Sequence, residues 1–136
     1  MPKTYLEAVR LTEQTVNPLF AFLGIQVKTI EPDRAVLCLP FRPELMQGGG
    51  LVAGGILATL LDEAMAHAVL GGNRPDQRTT TVNLSVSYLR PVHCGQDLTC
   101  EARVAKRGSR MLFVEATALA DQREVARAAG SFLLLP

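Results

Sequence analysis

Two acidic residues, Asp62 and Glu63, interrupt the most apolar stretch of the sequence, residues 51–70. Adjacent carboxylates inside an apolar helix are costly to bury without partners, so they must meet water, a salt-bridge partner or a functional site. At about 100° per residue, Thr59, Asp62, Glu63 and His67 form one polar stripe on such a helix. A carboxylate placed there could act as a general base or as a nucleophile. A solvated face or a buried salt link would explain the same pattern, and the spacing alone does not choose between the two carboxylates.

A pair of glycines, Gly54 and Gly55, stands at the start of the same apolar stretch. Glycine lets a substrate carbonyl approach the backbone closely, and the first N–H groups of a helix have no partner within it. The helix dipole adds positive potential at this end, so the glycine pair could form an oxyanion hole. Paired glycines are also common where a loop simply turns tightly into a helix.

The spacing of these two features limits how they can act together. Gly54 and Asp62 are eight residues apart, which places them about 12 Å apart along a helix axis. One carbonyl carbon cannot be polarised at one end of that distance and attacked from the other. If both features serve one substrate, they must come from different subunits, which predicts a homodimer with two sites at its interface.

The remaining residues with reactive side chains give weaker signals. His67 lies about one turn beyond Asp62 and is best interpreted as a satisfied interior or interface histidine, whereas His93 is expected in an exposed turn. The three cysteines are widely spaced and match no zinc motif, so we expect reduced thiols and no metal site. Cysteine or serine is not paired with histidine at a readable catalytic spacing.

Composition excludes several classes of function. The chain has 136 residues with 48% hydrophobic and 20% charged, which predicts one globular domain. A net charge of +1 and the absence of Trp argue against binding to nucleic acid or to an anionic membrane surface. The N-terminus lacks the apolar run of a signal peptide, and the charges near residue 62 argue against a membrane-spanning helix. We therefore expect a cytoplasmic protein.

The elements that would position these residues follow from the hydrophobic pattern. A helix that is apolar nearly all round, as expected from Gly54 to the stop at Gly71-Gly72-Asn73, must be wrapped by other elements. We predict an α+β fold in which five to six antiparallel strands wrap this helix, the last four forming a meander. The predicted elements are helix 3–16, a short turn from Asn17 to Gly24, strands 25–29 and 35–40, and strands near 82–88, 98–106, 111–120 and 125–135.

The segment AGGILATLLDEAMAHAV resembles the His-Gly-Gly motif of the PaaI-like and 4-hydroxybenzoyl-CoA thioesterases, a family with the hot-dog fold. In that family seven residues separate the second glycine from the acidic residue, and Gly55 and Asp62 keep this spacing. The later run NLSVSYLRPVHCGQDLTCEARVAKRGSRMLFVEATALAD is similar to the strands that follow in the family. The resemblance extends from Gly24 onward. It implies one hot-dog domain over residues 1–136, with residues 1–23 as an N-terminal helical segment.

The resemblance also implies roles for individual residues. The N–H of Gly54 would polarise the thioester carbonyl, and Asp62 would act as general base on water or attack directly to give a mixed anhydride. Gln47 falls where the family places an Asn or Gln that orients the carbonyl or the water, and Thr81 falls where some members place a Ser or Thr near that water. The histidine of the motif is Ala53 here, a departure that would lower activity, change the substrate or leave a binding protein.

The substrate implied by the resemblance is an acyl-CoA with a small, medium-chain or aryl acyl group, hydrolysed to free acid and CoA without a further cofactor. Ala53 and Gly55 would then lie against the substrate, and the guanidinium groups of Arg90, Arg107 and Arg110 suit the phosphates of the CoA nucleotide. Plain surface charge is the favoured alternative explanation of these arginines. The family often assembles as tetramers, so a homodimer or a homotetramer is expected.

Two other functions fit the same residues. The Ala53 substitution keeps open a non-catalytic acyl-CoA-binding or regulatory protein on the same fold. A hydratase or dehydratase on a hot-dog scaffold would need an Asp/His pairing, for which Asp62 and His67 have the residue types but an unfamiliar spacing.

Overall fold

The computed structural model describes residues 4–136. One long helix packs against all six strands of a single antiparallel sheet, which confirms the predicted α+β hot-dog architecture. The elements in chain order are α1 (Tyr5–Val9), α2 (Pro18–Leu23), β1 (Gln26–Glu31), β2 (Arg34–Leu39), a 3₁₀ turn (Pro43–Leu45), α3 (Gly54–Gly72), β3 (Thr79–Tyr88), β4 (Leu98–Arg107), β5 (Met111–Ala120) and β6 (Arg123–Leu134).

The central helix α3 is enclosed because its apolar residues occupy more than one stripe. The fully or nearly fully buried side chains of this helix are Leu57, Leu60, Leu61, Ala64, Met65, His67, Ala68 and Val69. Burying a side chain such as Leu61 or Met65 contributes about 1.5–3 kcal/mol each. The face of α3 that carries Asp62 and Glu63 is only partly buried, so the wrapping sheet leaves this face for other contacts.

The sheet order corrects the predicted four-strand meander. The strands follow the order β1-β2-β4-β5-β6-β3, so only β4, β5 and β6 form a meander. The strand β3 crosses to the far edge and pairs with β6, from Thr79 opposite Leu134 to Tyr88 opposite Ala126. The loop of residues 89–97 is long enough for this crossing, and it leaves β3 as an edge strand with one side unpaired.

A β-bulge changes the facing of β3 at the point where it passes α3. Thr81 is opposite Phe132 and Asn83 is opposite Ser131, so Val82 has no partner in the register. Strict alternation places Thr81 on the face opposite Leu84 and Val86. Because the bulge adds one residue, Thr81 instead shares the helix-facing side with Leu84, while Val82 is 57% exposed.

The N-terminal segment is less helical than predicted. The helix α1 starts at the N-cap Thr4, whose hydroxyl accepts from the Glu7 N–H, and it ends at Val9. Residue 3 lies outside the described residues. Beyond Val9, the Gln14 side chain bonds both the N–H and the carbonyl of Asn17, and such side-chain bonds compete with a helix. The second helix begins at Pro18 under an Asn17 cap, and Gly24, with φ 88°, terminates it as the C-cap, as predicted.

Candidate active site

The carboxylate of Asp62 is held by the edge strand. The Thr81 hydroxyl donates to Asp62 Oδ1 over 2.8 Å. The bulge at Val82 makes this contact possible because it turns Thr81 toward α3. Asp62 is partly buried and Thr81 is exposed, and within residues 4–136 the second carboxylate oxygen of Asp62 has no hydrogen-bond partner. The structure therefore brings together two of the predicted site residues, Asp62 and Thr81.

The start of α3 offers two unbonded backbone donors. Hydrogen bonding within the helix begins with the N–H of Ile56, which donates to the Ala53 carbonyl. Within residues 4–136, the N–H groups of Gly54 and Gly55 have no assigned acceptor. A side chain added at Gly55 would meet nothing within 4 Å, so there is open space beside the Gly55 Cα. Donors at a helix N-terminus suit a developing oxyanion.

Tyr88 is a feature of this helix entrance that sequence reasoning missed. Its hydroxyl donates to the Gly54 carbonyl over 2.8 Å, and its ring would lie 3.4 Å from a Cβ added at Gly54. Tyr88 ends β3, whose edge also carries Thr81, so one strand contacts both ends of the candidate site. The signal in the sequence was the alternation that places Leu84, Val86 and Tyr88 on one face of β3.

Gln47 begins the turn that leads into α3. Its main chain bonds Leu51 and Gly50, and its side-chain oxygen accepts from the Gly49 N–H. The side-chain amide nitrogen is therefore left to donate elsewhere, and Gln47 is exposed. Ala53 occupies the N-cap position of α3 and supplies no side-chain cap, because an alanine has no hydrogen-bonding group.

Glu63 belongs to a ring of polar residues shared with the N-terminal segment. The Asn17 amide lowers the pKa of the Glu63 carboxyl, and it donates to the Tyr5 hydroxyl over 2.8 Å. The Tyr5 hydroxyl lies 2.8 Å from His67 Nε2, and His67 Nδ1 lies 2.7 Å from the Glu63 carbonyl oxygen. A carbonyl oxygen only accepts, so Nδ1 carries the proton and Nε2 accepts from Tyr5. Phe20 stacks on the imidazole with ring centroids 4.9 Å apart.

Burial decides the charge states within this ring, which consists of Tyr5, Asn17, Glu63 and His67. Burial and, to a smaller extent, the nearby Asp62 carboxylate raise the pKa of Glu63 to about 7, although Asn17 acts to lower it. Burial lowers the pKa of His67, against the bond to the Glu63 carbonyl. His67 is therefore the satisfied interior histidine that the sequence predicted, and it does not pair with Asp62 as a hydratase would require.

The three predicted phosphate-binding arginines lie in different places. Arg107 donates to Asp33 Oδ1 over 2.7 Å, to Asn73 and to the Val69 carbonyl. It thereby ties the C-terminal end of α3 to the β1–β2 turn, which favours a structural role over phosphate binding. Arg90 is exposed and donates to the Glu124 carbonyl. Arg110 is exposed in the β4–β5 turn, beside the loop of residues 74–77.

Within the described residues the structure shows neither a cluster of metal-binding side chains nor a helix suited to cross a membrane. Within residues 4–136, His, Cys, Asp and Glu side chains do not gather in groups of three or more that could hold a metal ion. The cysteines of the described region are free thiols, and burial raises the pKa of Cys100. The helices of the same region are too short or too polar to cross a membrane.

The geometry of the described residues supports acid–base chemistry on a carbonyl substrate. Asp62 offers a carboxylate with one oxygen held by Thr81 and one oxygen free. The unbonded amides of the helix entrance lie eight residues away, or about 12 Å along the axis of α3. One chain thus carries a candidate base and candidate oxyanion donors, at a separation that one carbonyl cannot span.

Known proteins share both the sequence pattern and the fold. The thioesterase superfamily pattern matches residues 49–126. A Saccharolobus solfataricus protein named as a candidate esterase is 30% identical over 131 residues, covering 96% of this chain and 92% of that protein. Human acyl-coenzyme A thioesterase 13 is 26% identical over 89 residues, covering 65% of this chain and 63% of that protein. The solved structure of the Escherichia coli PaaI protein shares the fold with a TM-score of 0.84 at 22% identity, covering 89% of this chain and 86% of that one.

Proposed function

The chain belongs to the thioesterase superfamily, and on this premise we propose that it hydrolyses acyl-CoA thioesters to a free acid and CoA. The observation that carries the proposal is the hydrogen bond from Thr81 to Asp62 Oδ1. This bond fixes one carboxylate oxygen and leaves the other to take a proton from water. The name of the human relative, an acyl-coenzyme A thioesterase, supports CoA as the thiol.

In the proposed reaction, Asp62 acts on the thioester carbonyl in one of two ways. As a general base it accepts a proton from the attacking water, and as a nucleophile it forms a mixed anhydride that water then hydrolyses. In both routes the N–H of Gly54 donates to the oxygen that becomes negative. Gln47 orients the carbonyl or the water through its free side-chain nitrogen. Either route ends with the acid and the CoA thiol.

The two halves of the site come from two subunits in this proposal. About 12 Å of helix separates Gly54 from Asp62 within one chain. The edge strand β3 supports self-association because one side of its backbone is unpaired and it carries exposed apolar side chains, with Val82 57% and Tyr88 54% exposed. Two copies pairing through β3 would form a two-fold dimer with two sites. Gly54 and Gln47 of one subunit would then face Asp62 and Thr81 of the other.

A panel of acyl-CoA substrates with a free-thiol readout tests the activity. The panel runs from acetyl-CoA through octanoyl-CoA and dodecanoyl-CoA to benzoyl-CoA and phenylacetyl-CoA. We expect thiol release from at least one acyl class, and no release from any of them would overturn the proposal.

Subunit mixing tests the composite site separately. Asp62→Asn and Gly54→Val each remove one half-site, the second because a branched side chain would block the amide and press on Tyr88. In a co-refolded equal mixture, half of the dimers are mixed and each mixed dimer holds one intact site. About a quarter of the wild-type activity should therefore return. A mixture as inactive as its two components would show that one chain supplies both halves.

A non-catalytic acyl-CoA-binding protein is the second candidate. The observation that favours it is Ala53, which leaves the N-cap of α3 without the side chain that the family motif supplies at this position. Ala53→His separates the two candidates: a binding protein that has lost catalysis would gain thiol release, whereas an active thioesterase would change its rate only modestly.

A further inference from the structure

We propose that Tyr88 is a positioning residue for the reaction. Its hydroxyl holds and polarises the peptide group between Gly54 and Gly55, so that the Gly55 N–H joins the Gly54 N–H in stabilising the negative oxygen of the transition state. This inference rests on the proposed thioesterase function, and it adds to the same site a second donor and the side chain that prepares it.

The Tyr88 hydroxyl bonds the one peptide group that links the two glycines. It donates to the Gly54 carbonyl oxygen over 2.8 Å, and this carbonyl belongs to the same peptide group as the Gly55 N–H. Resonance couples the two ends of a peptide group, so a donor at the oxygen draws electron density from the nitrogen. Hydrogen bonds joined in this way polarise and strengthen one another. The hydroxyl therefore makes the Gly55 N–H a better donor to an oxygen that becomes negative.

The Gly55 N–H is left to donate because the helix cap does not use it. A Ser, Thr, Asn or Asp at the N-cap accepts from the N–H of the second or third helical residue. Ala53 holds the N-cap of α3 and supplies no side-chain cap, and Gly55 is the second residue of the helix. Within residues 4–136 the Gly55 N–H has no assigned acceptor, and open space lies beside the Gly55 Cα. Alanine at the N-cap thus keeps this donor available for a substrate.

The Tyr88 ring makes a second contact with the same residue. The ring lies 3.4 Å from the place where a Cβ would stand on Gly54, so it packs against the backbone at the first turn of α3. Ring and hydroxyl together tie the end of β3 to the start of α3. The two contacts can be separated by experiment, because phenylalanine keeps the ring and lacks the hydroxyl.

The position of Tyr88 on the edge strand fits the proposed dimer. Tyr88 ends β3, and Thr81 lies near its start. When two copies of β3 pair antiparallel with the two-fold axis at residues 84–85, Tyr88 of one subunit lies beside Thr81 of the other. The Gly54 entrance of one subunit then faces Asp62 of the other. Such pairing would also cover Tyr88, which is 54% exposed in the single chain, and a hydrogen bond away from water is electrostatically stronger.

Tyr88→Phe tests the role of the hydroxyl on any acyl-CoA that the wild type hydrolyses. We expect kcat to fall about threefold to tenfold, the scale of one hydrogen bond, and KM to change less than about twofold, because the negative oxygen exists only in the transition state. Ser87→Ala is the matched control: it removes a hydroxyl from the neighbouring residue, on the opposite face of β3, and it should leave kcat unchanged. An unchanged kcat in Tyr88→Phe would overturn the proposal.

Fluorinated tyrosines separate a polarising role from a purely structural one. Replacing Tyr88 with monofluorotyrosine or difluorotyrosine keeps the ring and the hydroxyl, and each fluorine makes the phenol a stronger donor. At mildly acidic pH, where both fluorinated phenols keep their proton, kcat should rise from tyrosine through the monofluoro form to the difluoro form. A side chain that only fastens β3 to α3 predicts no such order. Values of kcat unrelated to donor strength would therefore overturn the proposal.

The amide nitrogen resonance of Gly55 measures the polarisation without any turnover. This nucleus responds to hydrogen bonding at the carbonyl of its own peptide group, so its resonance should move in one direction in Tyr88→Phe and in the other in the difluorotyrosine protein. Ser87→Ala should leave it in place. A wild type that is inactive on the acyl-CoA panel but shows these shifts would refute the proposed function alone. An active wild type whose Gly55 resonance does not respond would refute the role of Tyr88 alone.

Discussion

Asp62 and Glu63 are neighbours in sequence with opposite surroundings. Asp62 faces the unpaired edge strand and has one protein partner, the Thr81 hydroxyl. Glu63 faces the N-terminal segment and lies in the ring of polar residues with Asn17, Tyr5 and His67. One side of the helix therefore faces an unpaired strand that a second subunit could cover, and the other side faces the N-terminal segment of the same chain. The two residues show that the role of a carboxyl group depends more on the element that covers it than on the position of the residue along the helix.

The largest expected effect is a loss of activity when Asp62, which faces the edge strand, is replaced. Asp62→Asn removes the base while its amide oxygen can still accept from Thr81, so the local geometry is kept. Because general-base catalysis contributes about 10²–10⁴-fold, kcat should fall by that factor. Steady-state thiol release measures the rate, and thermal unfolding should shift little. Glu115→Gln, a carboxylate paired to Arg103 on the exposed side of the sheet, is the matched control. A rate retained within tenfold would place the chemistry elsewhere.

The second expected effect concerns the pairing of a second subunit with the edge strand β3, beside Asp62. Lysine on an edge strand opposes pairing with another strand, so Val82→Lys should shift the protein to monomers at micromolar concentration. If each site needs two subunits, activity should fall with the dimer by about 10²-fold, the scale of losing an oxyanion donor. Sedimentation velocity gives the mass. Phe113→Lys, at an exposed apolar position of β5, is the control that should keep the dimer. A monomer with full activity would contradict the proposal that each active site is built from two subunits.

The third expected effect is on the free energy of unfolding and concerns Glu63, which faces the N-terminal segment. The pKa of Glu63 is raised to about 7 in the folded chain, so the folded state holds this proton more tightly than the unfolded state. The stabilisation is present below the unfolded pKa, and it is lost as pH rises through about 7. At 1.36 kcal/mol per pKa unit it amounts to about 2–3 kcal/mol between pH 5 and pH 8.

Denaturant unfolding of wild type and Glu63→Gln across that pH range isolates this contribution. The lowered pKa of His67 acts in the opposite direction, because the unfolded imidazole takes up a proton below its ordinary pKa and the buried one resists it. The difference between wild type and Glu63→Gln removes the His67 contribution, which both proteins share. The stability of the wild type relative to Glu63→Gln should therefore fall by about 2–3 kcal/mol as pH rises from 5 to 8. A difference independent of pH would show that Glu63 is ionised throughout.

Much of the fold follows from the sequence because the local patterns agree with one another. The apolar character of residues 54–70 on all sides requires a wrapping sheet, and the glycines at 71 and 72 end the helix where predicted. The pairing of β3 with β6 did not follow, because strand order depends on contacts between distant residues. The sequence also predicted a single polar stripe on α3. In the structure the residues of this stripe face two different elements, an edge strand and the N-terminal segment. Periodicity along the helix cannot predict where those elements lie.

The Asp62–Thr81 contact shows why sequence reasoning alone reaches only part of the site. Alternation in β3 places Thr81 with Asn83 and Ser85, away from the helix. The family resemblance placed it near the reacting water, and the bulge at Val82 reconciles the two by turning Thr81 inward. A bulge depends on how β6 pairs with β3, and nothing local in the sequence marks it. Tyr88 contacts the Gly54 carbonyl for the same non-local reason.

The smallest expected effect tests that bulge directly. Thr81→Val keeps the shape of the side chain and removes the donor to Asp62 Oδ1. A single hydrogen bond contributes about 0.5–1.5 kcal/mol net, so kcat should fall about threefold to tenfold while KM changes little. Thr80→Val is a matched control one residue away on the same exposed strand, on the face opposite Thr81, and it should leave kcat unchanged. If Thr80→Val reduced kcat as much as Thr81→Val, the strand would act through its general stability. A loss specific to Thr81 would mean that the bulge exists to bring one hydroxyl to one carboxylate.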